Sequence, residues 1–290
     1  MKEQKRINAN YYSLLHYSNI QHLDLIFITY LKNKCYHFPY KQGFPDDLKL
    51  LKKLSLRSVD VSGEAVSFLL GNCRLLEQLS LCATNTLSSL KIVRTSPSFK
   101  CLEIIHRRSL KSIVICESGL VCIKYAGERC KFVLVDAPLL TQLWILGASH
   151  PCYDSASMEG ILGMFSSLLP QLHMLKIYAK FEYEHRNTLP LMMMSNLKEL
   201  VLVLGSDYCD KWSLVQAINW FSWTPCLQRF VVELLRHCAA IDKIIIDPRS
   251  FKLHDYMPWE YISLNQMEDH IFARNRAKDQ LGHYPLVNIL

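Results

Sequence analysis

The side chains best suited to chemistry lie in two short stretches of the sequence. In the first, Glu182, Glu184 and His185 stand together in FEYEH. Carboxylates beside an imidazole can serve as a general acid, a general base or metal ligands. Such a trio is more typical of an exposed loop that follows a strand, and we favour that interpretation.

The second stretch holds Cys116, Cys122 and Cys130, with His106 nearby. A tetrahedral zinc site is typically marked by matched spacings such as CxxC, which do not occur in this sequence. Phosphate-loop, dinucleotide, GxSxG, HExxH and EF-hand patterns do not occur either. We therefore predict no catalytic residue, no metal ligand and no cofactor, and expect that the protein is not an enzyme.

The composition is that of an ordered, folded chain: 290 residues, 50% hydrophobic and 20% charged, with a formal charge of +7. Its basic residues are spread among acidic ones, which favours a solvated face over a nucleic-acid patch. Eleven cysteines without CxxC pairs, and no membrane-length apolar run, predict a cytoplasmic or nuclear protein without a membrane partner.

The elements that must position any site are repeats of the pattern apolar-x-x-apolar-x-apolar, in which the intervening residues are mostly polar. The segments begin at Ile20, Leu51, Leu76, Leu87, Phe99, Leu110, Leu120, Leu140, Leu172, Leu197, Leu227 and Ile241. Each indicates a short parallel strand that buries its apolar side chains against neighbouring repeats. The sequence predicts an α/β leucine-rich-repeat solenoid, a horseshoe with a parallel sheet on its concave face and short helices or turns on its convex face.

The connections between these strands differ in length. Ser62–Asn72, Ser157–Ser167 and Ser213–Phe221 have the capping and stop signals of helices. Steps of about 10 to 12 residues between Leu76 and Leu120 leave room for only a strand and a turn, which predicts a thin, turn-backed middle.

Both ends of the chain are predicted to cap the solenoid. YYSLLHYSN suggests an N-terminal helix, Leu264–Leu281 a polar helix and PLVNIL a last strand. We assign residues 1–249 to the solenoid with its N-terminal cap and residues 250–290 to a C-terminal helical cap.

Alternate side chains of the strands should form a contiguous concave surface. We predict that it binds a partner through Arg57, Lys91, Glu103, Lys124, Trp144, Lys176, Tyr178, Glu199 and Arg229. Trp144 is the most informative of these, because tryptophan often anchors protein interfaces. The alternative is that a neighbouring loop or the N-terminal helix covers Trp144 within the chain.

Several phrases resemble the repeat region of the large plant F-box/leucine-rich-repeat family, over nearly the whole chain. They are CYHFPY, LKKLSLRSVDVSGEAVSFLLGNCRLLEQLSL, LKSIVI, APLLTQLWI, SNLKELVLVL, IDKIIIDPR and ARNRAKDQL. The resemblance implies a fold that recruits substrate proteins, while an N-terminal F-box docks on the adaptor of a cullin-RING ubiquitin ligase.

The sequence departs from that family in two places. Residues 1–50 lack the F-box pattern, so ligase docking is expected only if an F-box is supplied elsewhere. The step of only 14 residues between the segments at Leu227 and Ile241 suggests a deleted strand near Val232 and puts the C-terminal stacking in doubt.

These observations predict a protein-binding domain whose partner is a protein substrate of unknown identity. By resemblance, it is the substrate-recognition part of an F-box adaptor. The alternative is a truncated family member without ligase docking, which acts as a decoy binder or has no activity.

Overall fold

The computed structural model describes a part of the chain that contains most of the predicted repeats. The described residues are 4–7, 21–26, 49–82, 87–93, 95–105, 110–127, 129–146, 163–179, 194–204, 232, 235–236, 240–247, 278 and 283–289. The chain forms two compact units, Met1–Leu140 and Thr141–Leu290, which we call unit 1 and unit 2. The predicted boundary at residue 249 lies outside the described residues and stays a prediction.

Unit 1 is a parallel solenoid built from two sheets and a helix. Its elements are β1 (Gln4–Ile7), β2 (His22–Ile26), β3 (Lys53–Arg57), α1 (Gly63–Asn72), β4 (Gln78–Cys82), β5 (Ser89–Val93), β6 (Cys101–Ile105), β7 (Ser112–Cys116), β8 (Cys122–Ala126) and β9 (Lys131–Val135). The larger sheet has the order β1-β2-β3-β4-β6-β8, and the smaller one has the order β5-β7-β9.

The core of unit 1 consists of apolar side chains stacked in register. Leu54, Leu79, Leu102 and Ile123 are successive partners in the larger sheet, and all four are buried. In the described segments of unit 1, the first apolar residue is buried as well, as at Leu51 and Leu76. These ladders confirm the leucine-rich-repeat solenoid, since no single strand could bury its apolar face without its neighbours.

The prediction of a thin, turn-backed middle was wrong. Segments about 11 residues apart alternate between the two sheets, so that β4, β6 and β8 lie in one and β5, β7 and β9 in the other. A parallel pair needs a crossover of about a dozen residues or more, which a connection such as residues 83–88 is too short to provide. Two short steps therefore make one turn of the solenoid, and a second sheet takes the place of the predicted turns.

Helix α1 confirms the prediction for Ser62–Asn72. Its N-cap is Ser62, whose hydroxyl oxygen accepts a hydrogen bond from the backbone N–H of Ala65 at 3.2 Å. The helix buries Val66 and Leu69 in the core. It lies beside β5, where the Ser67 hydroxyl donates to the carbonyl oxygen of Lys91 at 3.4 Å.

Unit 2 contains a parallel ladder in the order β10 (Gln142–Leu146), β11 (Met174–Ala179), β12 (Glu199–Leu204), β13 (Lys243–Asp247) and β14 (Val287–Ile289). A 3-10 helix at Leu169–Gln171 precedes β11. Leu143, Leu175, Leu200 and Ile244 form its buried ladder. Strand β14 confirms the short strand predicted in PLVNIL.

The segment predicted from Leu227 lies outside the described residues except for Val232. Strand β12 pairs directly with β13 over five register positions, and Val232, where the predicted strand would end, is helical. Strands β12, β13 and β14 are consecutive partners, so the described C-terminal strands stack on one another. The deletion suggested near Val232 stays a prediction.

The other predicted helices fall mainly outside the described residues. These are the N-terminal helix, Ser213–Phe221 and most of Ser157–Ser167 and Leu264–Leu281. Within the described part of the chain, no helix is both long enough and apolar enough to cross a lipid bilayer.

Candidate functional site

The larger sheet of unit 1 and the sheet of unit 2 each have an outer face, to which the first, third and fifth side chains of a strand point. Residues that share a register position in a parallel sheet point to the same side, so each position forms a row across the strands. The second and fourth side chains face the core, as Leu54 and Leu56 do in β3. Most of the predicted binding residues lie on these outer faces.

On the outer face of unit 1, Arg57 occupies the fifth position of β3, and Glu103 and Lys124 are direct partners at the third positions of β6 and β8. The side chains in this part of the face are more buried than predicted. Glu103 is only 3% exposed, and its register partner Ser80 is 6% exposed. Arg57 and Lys124 remain half-buried.

Lys91 does not belong to the predicted surface. It lies at the centre of β5, in the smaller sheet, where its register partner is Val114 of β7. Lys91 was placed on the wrong surface for the same reason that the thin, turn-backed middle was predicted wrongly. A segment that follows its predecessor by about 11 residues falls in the other sheet and cannot share its outer face.

The outer face of unit 2 brings together Trp144, Lys176 and Glu199. Trp144 and Lys176 are direct register partners, and the Lys176 Nζ lies 4.8 Å from the centroid of the Trp144 ring. A cation at this distance from an indole is attracted by the quadrupole of the ring. Glu199 stands at the first position of β12, with its Oε1 3.8 Å from the Nζ of Lys243.

Tyr178 lies on β11 at the register position of Leu146 and Val203, which is the fifth position of the strands. Arg229 lies outside the described residues. Strands β12 and β13, between which its strand was predicted, pair directly with each other.

Sequence reasoning missed three apolar members of this outer face: Met174, Val201 and Ile245. All three are half-buried, and Val201 and Ile245 extend the row of Trp144 and Lys176. Their position in the repeat could have identified them, because they occupy the same alternate positions as the polar residues. The resulting surface has an apolar centre with charged neighbours, which is the usual anatomy of a protein interface.

The three cysteines considered for metal binding are spread over the solenoid of unit 1. Cys116 ends β7, Cys122 begins β8 and Cys130 precedes β9. The Tyr125 hydroxyl donates to Cys130 Sγ at 3.5 Å, and burial raises the pKa of the Cys130 thiol. Among the described residues, no three His, Cys, Asp or Glu side chains form a group that could hold a metal ion. His106, Glu182, Glu184 and His185 lie outside them.

A different pair of thiols lies on the outer face of unit 1. Cys101 and Cys122 are direct register partners at the first positions of β6 and β8. The Cys122 thiol donates a hydrogen bond that lowers the pKa of Cys101, and the positive charge of Lys124 acts in the same direction against the effect of burial. The same hydrogen bond, together with burial, raises the pKa of Cys122. Sequence reasoning missed this pair because it grouped the thiols by distance along the chain.

Comparison with known proteins assigns this leucine-rich-repeat chain to a particular family. Residues 9–276 match the family described as At1g61320/AtMIF1, LRR domain. The chain belongs to this family. A relative from Arabidopsis thaliana, which carries the name FBD-associated F-box protein At1g61330, is 33% identical over 241 residues. These residues cover 80% of the present chain and 50% of the relative, so the chain spans about half the length of that protein.

Membership in the At1g61320/AtMIF1 family confirms the resemblance to plant F-box/leucine-rich-repeat proteins. It also supports a role in protein interaction, since a leucine-rich-repeat solenoid is generally a non-enzymatic scaffold with an extended binding surface.

Proposed function

We propose that this chain recognises substrate proteins for an F-box adaptor of a cullin-RING ubiquitin ligase. The observation that carries the proposal is the row of half-buried side chains on the outer face of unit 2, in which Trp144, Lys176, Val201 and Ile245 lie on consecutive strands. Similarity to an Arabidopsis protein named as an F-box protein supports the ligase part of the proposal.

The chemistry of this row suits a protein partner. An indole and two aliphatic side chains offer apolar area that is already held by the sheet, so little conformational entropy is lost on binding. Positive and negative side chains surround that area, namely Lys176, Glu199 and Lys243. Such charges favour the correct partner and its orientation more than they add to affinity.

The proposal is tested by comparing captured proteins between variants of this chain expressed with an affinity tag in plant cells. Trp144→Ala combined with Ile245→Ser removes the centre of the row. Val93→Ala serves as a matched control, because Val93 is 42% exposed but lies in the smaller sheet of unit 1. Proteasome inhibition during expression preserves substrates that are marked for degradation.

We expect a set of ubiquitinated proteins that the unaltered chain and the control variant capture and the double variant loses. The proposal fails if the double variant captures the same proteins equally well. Co-purification of the ligase adaptor is measured in the same experiment. Capture of ubiquitinated proteins without the adaptor would favour the decoy alternative over substrate recognition for a ligase.

A further inference from the structure

Cys101 and Cys122 are placed to react with each other. Both are free thiols at the first register position of adjacent strands, so their side chains project side by side from the outer face of unit 1. Adjacent strands lie about 4.8 Å apart, which falls within the range of Cα separations that a disulfide spans. Among the described cysteines, no other two are register partners.

The two thiols also differ in accessibility. Cys101 is half-buried, whereas Cys122 is only 7% exposed. Lys124 lies two residues beyond Cys122 on the same face, where its charge favours the thiolate form of Cys101, while Glu103 opposes that effect. Thiolates are the reactive form of cysteine, so Cys101 is the better nucleophile and Cys122 the shielded neighbour.

We propose that Cys101 and Cys122 form an oxidation site at which a hydroperoxide converts two thiols into one disulfide. This inference goes beyond the proposed function and does not depend on it. The bond would join β6 to β8 beside the paired Glu103 and Lys124.

The reaction balances in two steps. The Cys101 thiolate attacks the outer oxygen of the hydroperoxide, the O–O bond breaks, an alkoxide or hydroxide leaves, and Cys101 becomes a sulfenic acid. The Cys122 sulfur then attacks the Cys101 sulfur, the S–O bond breaks, and the departing hydroxide takes the Cys122 proton to form water. The first leaving group takes up the proton released by the Cys101 thiol. The two thiols together lose two electrons and two protons, and an alkyl hydroperoxide is reduced to an alcohol and water, or hydrogen peroxide to two molecules of water.

The resulting disulfide should be easily reduced. Side chains that project in parallel from adjacent strands keep their Cβ atoms about as far apart as the strands, slightly beyond the separation of about 3.5 to 4.5 Å that disulfides usually show. A bond formed under that constraint has a higher reduction potential than a relaxed structural disulfide. The site is therefore suited to reversible oxidation.

The test treats the full chain with limited hydrogen peroxide, blocks the remaining thiols with N-ethylmaleimide and analyses a tryptic digest by mass spectrometry. Cleavage after lysine and arginine gives peptides 101–107 and 112–124, and the second contains both Cys116 and Cys122. A Cys116→Ser variant removes that ambiguity. We expect peptides 101–107 and 112–124 to be the most abundant linked pair in both proteins, and the link to disappear with excess glutathione.

A Cys122→Ser variant provides the second measurement, with circular dichroism to check its fold. We expect Cys101 to accumulate as sulfenic and sulfinic acid in that variant, because the resolving thiol is gone. The proposal is overturned if Cys101 in the unaltered chain proceeds to sulfinic acid without forming the link, or if it links mainly to another cysteine. The Cys116→Ser protein decides the question alone if Cys122→Ser does not fold.

Discussion

The Lys176 ammonium lies 4.8 Å from the centroid of the Trp144 ring, across the pairing of β10 and β11. Both side chains are half-buried. The contact favours this arrangement of the two side chains and leaves the indole partly exposed. It links the stability of unit 2 to the surface that we propose for substrate recognition.

This contact predicts a measurable coupling between the two side chains. In a double-mutant cycle with Trp144→Leu and Lys176→Met, we expect a coupling of about 0.5 to 1 kcal/mol in the free energy of unfolding, as is typical of a partly exposed cation–π pair. Urea denaturation followed by circular dichroism gives the four free energies. Additive losses in the double variant would mean that the contact contributes nothing.

A close approach in unit 1 predicts opposite effects of one substitution at two positions of α1. A Cβ on Gly63 would lie 2.8 Å from the carbonyl oxygen of Ser89, whereas one on Gly71 would meet nothing within 4 Å. We expect Gly63→Ala to destabilise by about 1 to 3 kcal/mol, since α1 must move away from β5. We expect Gly71→Ala to stabilise by about 0.5 to 1 kcal/mol, because alanine has the better helix propensity.

Thermal unfolding of the two variants checks this prediction, with Gly71→Ala as the matched control for Gly63→Ala. Equal changes at both positions would show that helix propensity alone governs them and that the approach of α1 to β5 is not tight.

The repeat pattern predicted most of the strands because one buried residue marks each of them. In the confirmed segments the strand begins two residues after the first apolar residue, as β4 does after Leu76 and β6 after Phe99. Strand β9 was not predicted, because the position two residues before its start holds the exposed Arg129 instead of a buried apolar residue. The local pattern therefore identifies a strand only where the residue two positions before it is apolar and buried.

The pattern could not assign each strand to a sheet. The segments of β4 and β5 look alike, yet the length of the connection places them on different sides of the solenoid. Lys91 was assigned to the wrong surface as a result. The apolar members of the unit 2 surface, Val201 and Ile245, were missed because an outward aliphatic residue resembles a core residue until the register is known.

The residue that follows β7 has a left-handed backbone conformation, which predicts a stabilising substitution. Glu117 has a φ of 47°, and its backbone N–H donates to the carbonyl oxygen of Val135 at 3.1 Å. An ordinary residue is disfavoured in this conformation by about 1 to 2 kcal/mol, which glycine avoids. Glycine also adds freedom to the unfolded chain, so we expect a net stabilisation of about 0.5 to 1 kcal/mol for Glu117→Gly.

The control for this substitution is Glu117→Ala, which removes the side chain but keeps the Cβ that causes the penalty. Chemical denaturation should show the gain for glycine alone. A similar gain for alanine would attribute the effect to the loss of the glutamate side chain rather than to backbone conformation.

The buried thiol of Cys73 predicts a loss of stability at alkaline pH. Burial raises the pKa of Cys73 to about 12, from an ordinary value of 9.0. The unfolded chain thus releases this proton near pH 9, whereas the folded chain retains it until about pH 12. The contribution of Cys73 is fully present below pH 9 and falls by about 1.4 kcal/mol for each pH unit above it, up to the folded pKa.

Replacing the thiol isolates this contribution from the other groups that titrate in the same range. The free energy of unfolding of the unaltered chain minus that of Cys73→Ala should be constant between pH 7 and 8.5 and should decrease from pH 9 to 10.5. Cys116→Ala controls for the loss of a thiol at a half-buried position. A difference that stays constant over the whole range would show that Cys73 ionises equally easily in the folded and unfolded chains, and that water reaches its sulfur.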